Sequence, residues 1–194
     1  VEPSAVGSKV DFTNAMRIGN NANQFFRPAP AASPSDYESH RIWLNVTSAA
    51  GAFCQTAFGY MTGATNDYDQ GIDGRYFNSG QTELYSIVGE EKLVIQGRAL
   101  PFTVTDVVPL GFKATTAGTY SIVIDHVDGL FADGQAIYIK DNLTGMQHLL
   151  NDGAYSFTTE AGRFESRFEV VYQTPLGNYE STFDNSVVIV KSNG

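Results

Sequence analysis

The residues best suited by type and spacing to do chemistry lie in one stretch, Asn66-Asp67-Tyr68-Asp69-Gln70-Gly71-Ile72-Asp73-Gly74. Alternating acids near glycines let a loop curl until carboxylates and carbonyls converge on a hard cation, which makes Asp67, Asp69 and Asp73 candidate calcium ligands. The spacing departs from an EF-hand loop: counted from Asp67, the fifth position is Gly71 and the twelfth is Asn78, where that loop places Asp or Asn and then Glu. Aspartates also hydrogen-bond the backbone of their own turns, so the same three residues read as turn caps as well. The cofactor expectation is therefore none, or calcium at this loop.

Other chemistries find little support. Asp125, Asp128 and Asp133 form a second acidic group that reads as a solvated turn. Glycoside hydrolysis needs two carboxyls facing each other across a cleft, whereas Glu90 and Glu91 are adjacent and follow Gly89 in the pattern of a hairpin turn. His40, His126 and His148 have no metal-ligand spacing, and the sequence holds no HExxH, no G-x-S-x-G and no phosphate-cradling glycine loop. Cys54, the single cysteine, sits in a strand-like neighbourhood as a small core residue and has no internal disulfide partner. The expectation is a non-enzyme.

Aromatic residues offer a different kind of site. Trp43, Tyr60, Tyr68, Tyr76, Phe77 and Tyr85 are concentrated in one half of the body. Flat rings on an exposed face stack on the apolar faces of sugars, and Trp43, Tyr68 and Tyr76 are the candidate glycan platform. Aromatics are also favoured strand residues that fill sandwich cores, which is the competing reading.

The elements that would position these residues are strands. Ile42, Leu44 and Val46 alternate with Arg41, Trp43 and Asn45; Tyr120, Ile122 and Ile124 alternate with Ser121, Val123 and Asp125; Phe168, Val170 and Tyr172 alternate around Glu169. Ala136–Lys140 and Ala154–Thr158 are shorter runs of the same kind. Such alternation sends one set of side chains inward and the other outward. Turn signals such as Asp73-Gly74, Asp128-Gly129, Asp133-Gly134 and Asp152-Gly153 separate the runs. No stretch carries a helical period. The predicted fold is all-β, an antiparallel β-sandwich of jelly-roll type.

Composition agrees. Charged residues make up 17% of the 194 residues, against 19 glycines, 13 phenylalanines and 10 tyrosines, which suits short strands and tight turns. A net charge of −9 without clustered Lys and Arg speaks against nucleic-acid binding. No apolar run reaches the ~18 residues of a membrane-spanning helix, and no signal-peptide core opens the chain. Residues 1–40 read as an extended Pro/Asn-rich arm or linker, with one short strand around Lys9–Phe12 and Phe25-Phe26 as its anchor; residues 41–175 read as the sandwich. The sequons Asn45-Val46-Thr47 and Asn142-Leu143-Thr144 carry meaning only in a eukaryotic secretory protein.

An ordered set of blocks runs through the body: Arg41-Ile42-Trp43-Leu44-Asn45, Gly59 to Asp69, Leu84-Tyr85-Ser86-Ile87, Leu93 to Phe102, Val108-Pro109-Leu110-Gly111-Phe112, Asp128-Gly129-Leu130-Phe131, Ile137 to Asp141, Tyr155-Ser156-Phe157 and Arg167-Phe168. The set resembles the β-rich domain that precedes the C-terminal sorting signal in flavobacterial (Bacteroidota) cargo and adhesin-like proteins of the type IX secretion system. The resemblance covers about Arg41 to Gln173. It implies export across the outer membrane, a cell-surface or secreted location, and the type IX translocon and an outer-membrane barrel shuttle as transient partners. It brings no catalytic residues. By the same resemblance, residues 176–194 are the linker and first strand of the sorting region.

These readings converge on a non-catalytic extracellular structural or adhesive module, with a carbohydrate-binding module of a secreted polysaccharide-degrading or adhesin protein as the alternative. The apolar Val188-Ile189-Val190 near the end also suggests strand pairing with a neighbouring protomer.

Overall fold

The alternating runs become strands, and their apolar sets are the ones that are buried. A computed structural model describes residues 37–77 and 80–173. The Lys9–Phe12 strand, the Phe25-Phe26 anchor, Asn78 and the 176–194 sorting segment all fall outside these residues. The chain divides into two units, Val1–Tyr37 and Glu38–Gly194, and the strands belong to the second.

Among the described residues eleven strands follow in order: β1 (Ser39–Ser48), β2 (Phe53–Met61), β3 (Gly74–Arg75), β4 (Thr82–Val88), β5 (Glu91–Arg98), β6 (Val107–Ala114), β7 (Gly118–Val127), β8 (Tyr138–Asp141), β9 (Met146–Leu149), β10 (Tyr155–Thr159) and β11 (Gly162–Val171). Ile42, Leu44, Val46, Ile122, Phe168 and Val170 are fully buried, as the period-two reading requires. The architecture is all-β, and no described helix is long and apolar enough to cross a membrane.

The strands form one continuous sheet in the order β10-β7-β1-β2-β5-β4-β6-β11-β8-β9, with β3 attached to β5. Its ladders are antiparallel except for β2 with β5, which pair in parallel from Ala57–Ile95 to Tyr60–Arg98. The sheet folds over on itself until its two ends lie close. Phe157 of β10 meets Phe168 of β11 edge to face at 4.7 Å, and the Tyr155 hydroxyl donates to Asp141 of β8 at 3.1 Å. Side chains, rather than a backbone ladder, bridge this seam.

Two aromatic clusters fill the interior. Phe112 is central to one, with Tyr120, Phe157 and Phe168 edge-on at 5.3 to 5.9 Å. Tyr60, Phe102, Phe131 and Tyr172 form the other at 4.9 to 6.1 Å. These separations match the offset and edge-to-face geometries that aromatic quadrupoles favour. Gly89 turns the β4–β5 hairpin with φ +58, so the Glu90-Glu91 pair does mark a turn, and Glu91 is bonded through both carboxylate oxygens to Arg75.

Two register shifts decide where charges go. On β11 the pairing with β6 jumps between Phe164 and Phe168, and this irregularity accompanies an inward Arg167. Its guanidinium is 5% exposed and bonds both oxygens of fully buried Asp141 at 2.9 to 3.2 Å, with Phe157 and Phe168 ring centroids each 4.8 Å away. On β7 the shift leaves Asp125 as the extra residue opposite Trp43 and Leu44, where it accepts amide protons from Asn45 and Gln55. Asp128 instead grips the Arg41 guanidinium, so these two acids do not act together.

Burial pushes the Asp141 carboxyl up, but Arg167, the Leu143 amide and the Tyr155 hydroxyl outweigh that and hold it below the ordinary Asp value of 3.8. Its contribution to stability is complete above that value and disappears as pH falls through the lower folded value. Replacing Arg167 by Met is expected to destabilise the fold by about 3–5 kcal/mol by stranding a buried carboxylate, and the Arg167→Met/Asp141→Leu double variant should recover much of this in urea melts. The wild-type chain should show level stability from neutral pH down to about 5 and lose it below about 4. A second prediction concerns Gly111, where an added Cβ would lie 2.0 Å from the Tyr85 ring. Gly111→Ala should cost about 1–3 kcal/mol, measured the same way, while Gly118→Ala, in open space, should cost far less.

Candidate functional site

The acidic loop is fastened by its own carboxylates. Asp69 Oδ2 accepts the Thr65 amide at 2.5 Å and Oδ1 accepts the Thr65 hydroxyl at 3.0 Å. Asp73 Oδ2 accepts the Asp69 amide at 2.8 Å, and its Oδ1 accepts the Gly97 amide on β5 at 2.7 Å. Asn66 adds a bond from the Ala99 amide at 3.2 Å. The loop is thereby tied to β5 and to the residue that follows it. Asp67 is exposed, and its amide donates to Thr65 Oγ1. Among the described residues no group of three His, Cys, Asp or Glu side chains is arranged to hold a metal ion. The geometry of Asp69 and Asp73 is that of turn caps.

The three platform aromatics stand apart. Trp43 is half-buried on β1, with the His126 ring 5.0 Å away and the Arg41 guanidinium 5.1 Å from its centroid. Tyr68 lies under the Arg75 guanidinium at 4.2 Å. Tyr76 packs against Tyr85 at 5.5 Å. Of the three, Tyr76 alone lines a large cavity.

That cavity, of about 970 Å³, opens at the end of the sandwich where the β1–β2 hairpin, the Arg75–Phe77 segment, the start of β4 and the β6–β7 turn meet. Glu83 lies in its wall, 1% exposed and held between Lys113 at 2.7 Å and Arg163 at 2.9 Å. Burial raises the Glu83 carboxyl, but Lys113, Tyr76 and Arg163 hold it below its usual value. Cys54, also in the wall, has its thiol pushed up to about 12, chiefly by burial and then by the Glu83 charge. A thiol raised in this way carries little thiolate at neutral pH. Tyr76 is likewise pushed up to about 12 by burial and by its bond to Glu83.

Sequence reasoning singled out Tyr76 but not the cavity, nor Glu83, Arg163 or Lys113 around it. The wall comes from five separate stretches spread between Ser48 and Tyr120, Val94 of β5 among them, and no local motif joins them. The histidines take structural contacts: His40 Nδ1 accepts the Leu130 amide at 3.1 Å, and His148 Nε2 meets the Gly153 carbonyl at 3.0 Å.

The loop geometry generates a test. Asp73→Ala should lower stability by about 1–3 kcal/mol, the cost of stranding the Asp69 and Gly97 amides. Chelation with EDTA should leave the wild-type melting temperature unchanged; a fall on chelation that calcium restores would show that a cation holds the loop.

No curated protein and no solved structure matches the chain. A family model described as a domain of unknown function, DUF8693, matches residues 1–172, so it takes in the N-terminal segment together with the strands around the cavity. By this match over most of its length, the chain belongs to the DUF8693 family.

Proposed function

We propose that the chain is a non-catalytic extracellular module of a type IX secreted surface protein of Bacteroidota, placed next to the sorting signal and carried out through an outer-membrane barrel shuttle. Its role is structural and adhesive: a rigid base that holds other parts of the protein at the cell surface. The observation that carries the reading is the use made of buried charge. Arg167–Asp141 ties β11 to β8, Arg98–Asp106 ties β5 to the segment before β6, and Glu83 ties β4 to β6 and β11. Each pair joins adjacent strands or strands one apart in the sheet, which is how a scaffold uses ions. Glycosidase chemistry would set two carboxyls facing each other across a groove.

The blocks that carry the resemblance support the same reading. Arg41–Asn45, Leu84–Ile87, Val108–Phe112 and Tyr155–Phe157 fall in β1, β4, β6 and β10 and supply core residues from each. What the resemblance preserves is scaffold. The carboxylates of the Asp67–Asp73 loop belong to this reading as turn caps that fasten the loop to β5.

Location tests the proposal. In its host, the epitope-tagged native gene product should be cut by protease added to whole cells, and should become protected in a strain lacking the type IX translocon. A product that stays protected in wild-type cells would overturn it.

A further inference from the structure

We propose that the cavity at the hairpin end of the sandwich, rimmed by Phe53, Tyr76 and Phe77 and closed by the Thr115–Thr119 turn, is a binding site for a neutral saccharide. This rests on the adhesive reading above and gives it a site and a ligand class.

Size comes first. At about 970 Å³ the cavity lies at the upper end of the range that holds small ligands, room for two or three sugar rings. It is open to solvent at its rim, and the rim carries the two most conspicuous exposed phenylalanines of the body. Phe77 is 92% exposed and Phe53 63%. One exposed aromatic needs no explanation. Two lining the same polar cavity supply flat apolar surfaces that can stack on the C–H face of a pyranose ring, and Tyr76 lines it as well.

The polar part of the lining matches the other face of a sugar. Ser48, Gln81, Thr115, Thr116 and Thr119 contribute hydroxyl and amide groups, which both donate and accept. A purely apolar ligand would leave these unpaired on binding, at a cost that weakens its affinity for each group left without water or partner. A ligand with hydroxyls around an apolar ring face satisfies both surfaces.

Charge then selects within the sugars. The ionisable groups of the wall are Glu83, Arg75, Cys54, Tyr76 and Tyr120. Glu83 is paired with Lys113 and Arg163, which stand behind the wall, and Arg75 is paired with Glu91 by a two-point bond. Cys54 and Tyr76 stay protonated at neutral pH, and the Tyr120 hydroxyl donates to the Thr116 carbonyl. Among the described residues both charged side chains of the lining already have an opposite partner, so a uronate, a sulfate or an ammonium group would have to displace one. The site therefore favours uncharged glycans.

The experiment titrates the ¹⁵N-labelled full chain with cellotriose, laminaritriose, xylotriose, mannotriose and N-acetylchitotriose, and with trigalacturonate as the charged comparison. At least one neutral trisaccharide should shift the amides of Phe53, Tyr76, Phe77 and Thr115–Thr119 with a Kd below about 1 mM. The Phe53→Ala/Phe77→Ala variant, altered at two exposed positions, should weaken that binding about tenfold or more while keeping the wild-type melting temperature; Trp43→Ala should leave it unchanged. The proposal is overturned if no neutral trisaccharide shifts these amides up to about 10 mM, if the shifts centre on Trp43, or if trigalacturonate binds most tightly. Failure of binding would leave the surface-module reading standing. Shortening of the bound sugar during titration would support the site and overturn the non-catalytic reading.

Discussion

A guanidinium surrounded by phenylalanine rings has to be matched, because an unpaired charge in such a place costs several kcal/mol. Arg167 is in that position, and Asp141 matches it through two oxygens while also taking the Leu143 amide and the Tyr155 hydroxyl. The partners of this one carboxylate come from β11, from the turn after β8 and from β10. They are therefore the groups that draw the two ends of the sheet together. With no ladder joining β9 to β10 among the described residues, the seam is held by Asp141, by the Arg167 bond to the Thr158 carbonyl, and by the Phe157–Phe168 and His148–Tyr155 ring contacts. Hydrophobic burial would collapse this chain in any case. The buried pair favours the arrangement in which these strand ends meet, because separating them would leave both charges buried and unpaired.

The same logic governs the other paired carboxylates of the body. A general acid needs a carboxyl raised toward neutrality. Asp141, Asp106 and Glu83 are each driven the other way, by Arg167, by Arg98 with Tyr60, and by Lys113 with Tyr76 and Arg163, against the upward push of burial. A carboxylate so stabilised is a poor acid and a weak base. The cations that lower Glu83 also offset its field at the end cavity, so the carboxylate in that wall already has its partners. The pairing that ties the strands and the pairing that occupies the wall's carboxylate thus have one cause.

Much of the fold was legible in the sequence because alternation is a direct consequence of half-buried strands. Arg41–Val46, Tyr120–Asp125 and Phe168–Tyr172 show the expected inward faces, and Gly89-Glu90-Glu91 the expected turn. Alternation fails where the count slips. The register shift before Phe168 turns Arg167 inward, and the extra Asp125 sets up the Asn45–Gln55 contacts; a period of two has no way to register either. The parallel β2–β5 ladder was equally hidden, because it joins strands separated by the acidic loop, β3 and β4. Asp69 and Asp73 could be read as turn residues from spacing alone, but the bond from Asp73 to Gly97 depends on that parallel ladder being in place.

The cavity was the least legible feature, for a physical reason that also bears on what it does. Its wall is assembled from loop ends, and loop ends are where a sandwich tolerates change without disturbing its core. Tyr76 was visible as an aromatic in a turn-rich stretch. What makes it part of a site is its bond to Glu83 and the Thr115–Thr119 turn that lines the same cavity, contributed by β4 and by the β6–β7 connection. Glu83 in turn is held by Lys113 on β6 and Arg163 on β11, so the strand that carries the seam also fixes the floor of the cavity. Rim residues can then vary over a wall whose buried carboxylate is held from three strands, so the core that forms the wall does not depend on what the rim presents.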